Sequence, residues 1–333
     1  MVNVKRGNKE PISNSMQIWY SGQNGAKLEL DINVWRLKSF FRKTYIDFGM
    51  KISEPNKVEK VYIYFPFNVS KEKIEDLGGK LENQSTLKGI FNENFVPCTS
   101  EKNSKIIEVI ENKNDTKKTK FSVYKLSDED FDIESGKFGG TLVSFKVKGE
   151  KTGTQVSDQY YRFRIFPKKY GTFVKRYRPQ NSFFESAFIE TEIVDFRIAE
   201  KRNQSENLLE AIAEGKTFEF KAINFFVMSP IHDEIMSDGV NIVYKRQLEE
   251  GHFWDDYLEQ TYKKASVYKC KSPNEEELIE DFNCFFKIKY RKSNFLTILI
   301  YLIVLCVVTI LLDAVSECVR EFLGSLLGGG EII

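Results

Sequence analysis

The stretch Phe295–Leu312, FLTILIYLIVLCVVTILL, constrains this chain more than any other. Its eighteen residues include no charge, no Gly and no Pro. At about 1.5 Å per residue a helix of that length spans roughly 27 Å, close to the ~30 Å hydrocarbon core of a bilayer. In lipid, only a helix or a closed barrel satisfies its own backbone polar groups, so the segment reads as a transmembrane helix. A helix buried in a soluble core would carry a polar face. Here only Thr297, Tyr301, Cys306 and Thr309 interrupt the apolar surface.

The flanks give an orientation. Lys287, Lys289, Arg291 and Lys292 precede the span, and Asp313 and Glu317 follow it. Basic residues stay on the cytoplasmic side, which places the large N-terminal part there and residues 313–333 across the membrane. No apolar run near Met1 resembles a signal peptide. The expected localisation is a single-pass membrane protein with a cytoplasmic N-terminal body, in a bacterial inner membrane.

The expected fold class is α+β: a β-rich body, then the membrane helix, then an amphipathic tail. Of 333 residues, 29% are charged and 14% aromatic, with 28 Phe, enough to bury a substantial core. Net charge is +1, so a polyanion site has to be local rather than global. The five Cys have no CxxC spacing, and with His232 and His252 as the only histidines no zinc site is expected. The body is expected to hold reduced thiols.

In chain order, residues 1–15 read as a flexible start. Met16–Tyr20 and Ala26–Ile32 read as a hairpin around Ser-Gly-Gln-Asn-Gly. VEKVYIYFPF at 58–67 is a buried strand, and Ser70–Leu77 a short helix stopped by Gly78-Gly79. The Lys-rich run from Lys113 to Lys120 reads as an exposed hairpin loop. Residues 16–150 form a first β-rich lobe, with a break at Gly149–Val156. The acidic run SDEDFDIESG within it lacks the Gly and Glu positions of a calcium loop, so no metal is expected. Residues 151–271 form a second lobe with strands at 160–166, 187–199, 217–228 and 240–246 and helices at 206–214 and 252–264. In the strand at 187–199, Ile189, Thr191 and Ile193 share one side. Ser272-Pro273-Asn274-Glu275 is a capping box, and Leu278, Ile279, Phe282, Phe285 and Phe286 recur at helical spacing, predicting a juxtamembrane helix over 272–294.

Two constellations carry functional weight. Within Gln159–Phe184 the residues Arg162, Arg164, Lys168, Lys169, Lys175, Arg176 and Arg178 occur without any acid before Phe184, interleaved with Tyr161, Tyr170 and Tyr177. YYRFRIF alternates apolar and basic residues, predicting a half-buried strand with one basic face. A hairpin turning at Lys168–Gly171 would bring Arg162 and Arg164 beside Lys175 and Arg176. Such a surface suits phosphates and stacked bases, and so a nucleotide or oligonucleotide ligand. The plainer alternative is a solvated strand face paired with acids, such as those of the Glu185–Glu200 strand.

The second is the tail, 313–327. Ala314, Val315, Cys318, Val319, Phe322, Leu323, Leu326 and Leu327 alternate in pairs with polar residues, giving an amphipathic helix. It ends at Gly328-Gly329-Gly330, ahead of the terminal residues 331–333. Span and tail together would make one helix of about 33 residues, or ~50 Å. The tail could lie on the outer leaflet, or associate with copies of itself. In the second case Thr297, Cys306, Thr309, Asp313, Glu317, Arg320 and Glu321 are the pore and oligomer candidates.

No GxSxG, P-loop, GxGxxG or HExxH is present, and no catalytic residue or cofactor is expected. In layout the chain resembles the bacterial membrane-anchored effectors of nucleotide-signalling antiphage defence. That resemblance implies an oligomeric membrane effector or ion channel, gated by a nucleotide bound to the cytosolic domain. The alternative is a single-span adaptor or scaffold that holds a partner protein at the cytoplasmic face.

Overall fold

The computed structural model describes residues 15–36, 44–91, 95–100, 104–109, 120–149, 158–167, 173–177, 189–202, 204–236, 242–249, 252–259, 264–271, 278–291 and 295–327. The readings at 1–14, at 113–119 of the Lys-rich run, at 150–156 of the break, and at the Ser272 capping box lie outside these residues. The chain divides into two compact units, residues 1–175 with 192–288, and residues 176–191 with 289–333.

The first half contributes β1 (Gln17–Gly22), β2 (Lys27–Arg36), β3 (Thr44–Ser53), β4 (Val58–Phe65), β5 (Ile74–Asp76), α1 (Gln84–Phe91), β6 (Phe95–Ser100), β7 (Ser104–Val109), β8 (Lys120–Tyr124), β9 (Phe131–Ser135) and β10 (Thr141–Lys146). The second contributes β11 (Asp158–Ile165), β12 (Val174–Tyr177), β13 (Ile189–Ile198), α2 (Glu206–Glu214), β14 (Lys216–Thr217), β15 (Glu219–Pro230), β16 (Glu234–Met236), β17 (Ile242–Gln247), α3 (His252–Leu258), β18 (Ala265–Lys271), β19 (Phe282–Arg291) and α4 (Phe295–Leu327). The α+β reading holds, with strands making most of the body.

A ten-stranded sheet runs β17-β18-β15-β2-β3-β11-β8-β7-β6, with β5 also on β11. A five-stranded sheet runs β14-β1-β4-β10-β9, and a four-stranded sheet β12-β13-β19-β16. The large sheet takes strands from both halves of the sequence, and β2 pairs with β15 in parallel. The division into two successive lobes therefore does not follow the sheets. The 16–32 hairpin is also corrected: β1 pairs with β4 and β14, while β2 pairs with β3 and β15. The turn between them is a corner from one sheet to another. Tyr20 closes it, its hydroxyl donating to Gln23 O (2.9 Å) and accepting from Ala26 N–H (3.1 Å).

Strand alternation sorts the side chains of the large sheet onto two faces. One face meets the two smaller sheets through aromatic rings. Phe48 lies 5.3 Å from Phe65 and Phe145 lies 5.1 Å from Tyr161, both toward the five-stranded sheet. Phe225 lies 4.5 Å from Phe196, toward the four-stranded sheet. Such ring pairs contribute about 0.5–1.5 kcal/mol each beyond area burial. The other face carries α3 and α1. Trp254, Tyr257 and Leu258 of α3 pack on Trp35, Tyr45 and Met228. Leu87 of α1 packs with Phe95, Phe121 and Tyr160.

Two further readings are corrected, at Ser70–Leu77 and at 282–291. Ser70–Leu77 is a 3-10 turn, Lys71–Lys73, that passes into β5 rather than a helix. In β13 the buried side is Glu192, Val194, Phe196 and Ile198, opposite to the side holding Ile189, Thr191 and Ile193. Glu192 is buried because Arg36 reaches it at 2.5 Å across the interior. The segment 282–291 is strand β19, not helix, with Phe282, Cys284, Phe286, Ile288 and Tyr290 buried in strict alternation. Phe282 and Phe286 fit both periods while Phe285 fits only the helical one, and the sheet selects the shorter. Of the helix expected at 252–264, α3 covers 252–258, and Glu259 has φ of 54°.

The second unit holds α4, an unbroken helix of 33 residues. Within it the 28-residue stretch Ile298–Ser325 is long and apolar enough to cross a membrane, with none of its most apolar stretch buried. In the same unit Tyr290 donates to Glu190 at 2.5 Å.

Candidate functional site

The basic window turns inward. All eight residues of β11, DQYYRFRI, are buried, because β3 flanks it on one side and β8 and β5 flank it on the other. The expected half-buried basic face is thus an interior face. Nor does β11 form a hairpin with β12, which belongs to the four-stranded sheet.

Arg162 and Arg164 are 0% and 1% exposed. Their register explains how a sheet interior holds two cations. Arg164 stands opposite Asp47 on β3, and Arg162 opposite Gly49. Arg164 Nε and Nη2 donate to the Asp47 carboxylate at 2.6 and 3.1 Å, a bidentate pair. Asp47 also accepts from Trp35 Nε1 and from the Tyr257 hydroxyl, each at 2.7 Å. Arg162 Nε donates to Tyr257 Oη at 2.8 Å, and Arg162 Nη1 to Tyr160 Oη at 2.9 Å. Both guanidinium groups lie near the Tyr257 ring centroid, at 5.8 and 5.0 Å. Gly49 makes the crossing feasible: an added Cβ would meet Tyr160 Oη at 2.1 Å and Arg162 Nη1 at 2.8 Å.

The charges nearby follow. Burial pushes the Tyr257 and Tyr160 hydroxyls well up, Tyr160 to about 12, so both stay neutral. Burial opposes charge on Arg162, but the tyrosines and Asp47 overcome it and hold the guanidinium protonated. Asp31 on β2 is pushed up by burial, with the Asn224 amide donating to it at 2.8 Å. Among the described residues, Arg162 Nη2, Asn33 Oδ1 and Asn224 Oδ1 have no hydrogen-bond partner. Arg162 Nη2 still lies 3.9 Å from Asp47. The cluster ties β2, β3 and β11 of one sheet to α3.

The remaining window residues are separated. Tyr161 points to the opposite face from Arg162, where its hydroxyl donates to Gln159 Oε1 at 2.6 Å and its ring stacks on Tyr124 at 5.6 Å. Lys175 and Tyr177 are exposed, and Arg176 lies on β12. Lys168, Lys169, Tyr170 and Arg178 lie outside the described residues. Asp47 and Tyr257, which complete the cluster, are not singled out by the sequence. A lone Asp in TYIDFGM, an otherwise apolar strand, is the available signal.

The pore and oligomer candidates all lie on α4. Thr297 sits in its first turn, and Cys306, Thr309, Asp313, Glu317, Arg320 and Glu321 are exposed. At 3.6 residues per turn, Cys306, Thr309, Asp313, Glu317, Arg320 and Gly324 fall on one face, each three or four residues from the next. Thr309 bonds its own helix, donating to Leu305 O at 2.9 Å. Elsewhere the acidic run is locally engaged: Asp130 accepts from Ser127, and Lys60 donates to Asp132 at 3.1 Å. His232 is exposed and its neighbour Asp233 accepts from Ser229 at 2.7 Å and Arg36 at 3.3 Å.

Set against protein-family models, curated proteins and solved structures, the chain matches none. What the fold defines is a β-rich body followed, among the described residues, by one candidate membrane helix near the C-terminus.

Proposed function

We propose that this chain is an oligomeric single-pass membrane effector, in which a cytoplasmic β-rich body controls the assembly or packing of membrane helices. The observation that carries this reading is the polar stripe Cys306–Gly324 on the continuous α4, a face from which Thr297 and Glu321 are rotated away. A helix of about 50 Å exceeds a ~30 Å hydrocarbon core, so Asp313, Glu317 and Arg320 fall at or beyond the far edge of that core, and Cys306 and Thr309 are the stripe residues within it. Several copies with stripes turned toward a common axis would bring these groups together and enclose a polar path. One helix cannot do so alone. The basic flank before the helix supports a cytoplasmic body.

The ligand-binding part of the reading shifts. Arg162 and Arg164 are held inside by Asp47, so an anionic signal would first meet other cations. The proposal therefore commits to the membrane act and leaves the signal's class to binding experiments.

The native cysteines of α4 provide the test. Cys306 lies on the stripe, and Cys318, twelve residues on, is rotated from it by about 120°. Mild oxidation of the full-length protein in membranes is expected to give disulfide-linked dimers through Cys306. Those dimers should vanish in Cys306→Ser and persist in Cys318→Ser. Dimers formed through Cys318 alone would place the other face at the interface and overturn the arrangement. Absence of dimers at every oxidant level would favour the single-span adaptor.

A further inference from the structure

The layer between the large and the four-stranded sheets holds a pair of thiols that the membrane reading does not use. Cys270 on β18 stands opposite Phe225 on β15, so the two share one face. Cys284 sits between Phe282 and Phe286 on β19, whose rings lie 6.5 and 6.2 Å from Phe225. Both cysteines are reduced and buried, at 2% and 0% exposure. Their side chains hydrogen-bond to each other. The bond is directional: Cys284 holds Cys270 below the usual thiol range, while the same bond and burial push Cys284 well above it.

We propose that Cys270 and Cys284 form a reversible redox site whose disulfide staples β18 of the large sheet to β19 of the four-stranded sheet. The oxidant is a small hydroperoxide able to enter a closed core. Cys270, as thiolate, attacks the peroxide oxygen. The O–O bond breaks, Cys270 becomes a sulfenic acid and water or an alcohol leaves. Cys284 then gives up its proton and attacks the Cys270 sulfur. The S–O bond breaks, a second water leaves, and the disulfide has formed with both electrons passed to the peroxide. A thiol reductant reverses it by exchange. The pairing crosses two sheets, so its formation alters how β19 is held, and β19 is the last strand before α4 in the sequence. On the cytoplasmic side proposed above, the thiols are the resting state and the disulfide a transient one.

The experiment is peptide mapping of full-length protein in detergent after graded hydrogen peroxide and quenching of remaining thiols with iodoacetamide under denaturing conditions. The expected product is a cross-linked peptide pair containing Cys270 and Cys284, lighter by two hydrogens and restored by dithiothreitol. In Cys284→Ser, Cys270 is expected to stop at the sulfenic acid and to be captured by dimedone. The cross-linked protein should also unfold at a higher denaturant concentration than the reduced protein. The proposal is overturned if Cys270 and Cys284 are alkylated in full while Cys306 and Cys318 are already oxidised. It is equally overturned if Cys270 pairs with a cysteine other than Cys284.

Discussion

Asp47 is the residue on which the interior charge depends. It takes hydrogen bonds from Trp35, Arg164 and Tyr257, and it is the carboxylate nearest Arg162 among the described residues. Removing one partner of a buried pair leaves an uncompensated charge at a cost of about 3–5 kcal/mol. Asp47→Ala is expected to lower the unfolding free energy by that amount, read from denaturant midpoints. A loss under about 1 kcal/mol would show that the arginines are solvated by some other route. Gly49→Ala crowds the same place from below, and its Cβ has to displace Tyr160 and Arg162. Overpacking of this kind costs about 1–3 kcal/mol. Asp76 supplies a pH dependence. Burial raises its carboxyl to about 6, although the N–H groups of Leu126, Gly78 and Gly79 oppose the shift. A carboxyl held above its unfolded value near 3.8 stabilises the fold most in acid, and stability falls as pH rises from about 4 to 6. Asp76→Asn should flatten that window and gain roughly 2–3 kcal/mol at pH 7. An unchanged pH profile in the variant would remove Asp76 as the source.

At the scale of elements, legibility in the sequence tracks how local each determinant is. The candidate membrane helix is readable because eighteen uncharged and mostly apolar residues in a row need no partner to be understood. Most long strands are also readable, from alternation and β-branched or aromatic content. The orientation of β11 is not. Its arginines look solvent-facing in sequence because the groups that neutralise them are remote: Asp47 is 117 positions from Arg164 and 210 from Tyr257. The same limit hides the burial of Glu192, which depends on Arg36, 156 positions away. In β19 Phe282 and Phe286 satisfy helical and strand periods together while Phe285 favours the helical one, and only its place in a sheet decides between them. The element-scale prediction concerns α4. Replacing its stripe residues Thr309 and Asp313 by Leu keeps the length and apolarity of the helix. An anchor would tolerate the change with insertion and function intact. In an oligomeric effector, membrane insertion is expected to persist while Cys306 cross-linking falls at least severalfold. Retained cross-linking would tell against the stripe.

The body is built on a large sheet, closed on one face by two smaller sheets and on the other by helices, and in sequence its last strand is followed by a candidate membrane helix. Its charged interior pins α3 to the sheet through Tyr257, Arg162 and Asp47. The chain is proposed to work as several copies. The most direct measurement is the mass of the full-length protein in detergent, by native mass spectrometry or light scattering corrected for bound detergent. A single discrete oligomer, reduced to smaller species by Thr309→Leu and Asp313→Leu, is the predicted result. A monomer at every protein concentration, unchanged by those substitutions, would contradict it and make α4 an anchor.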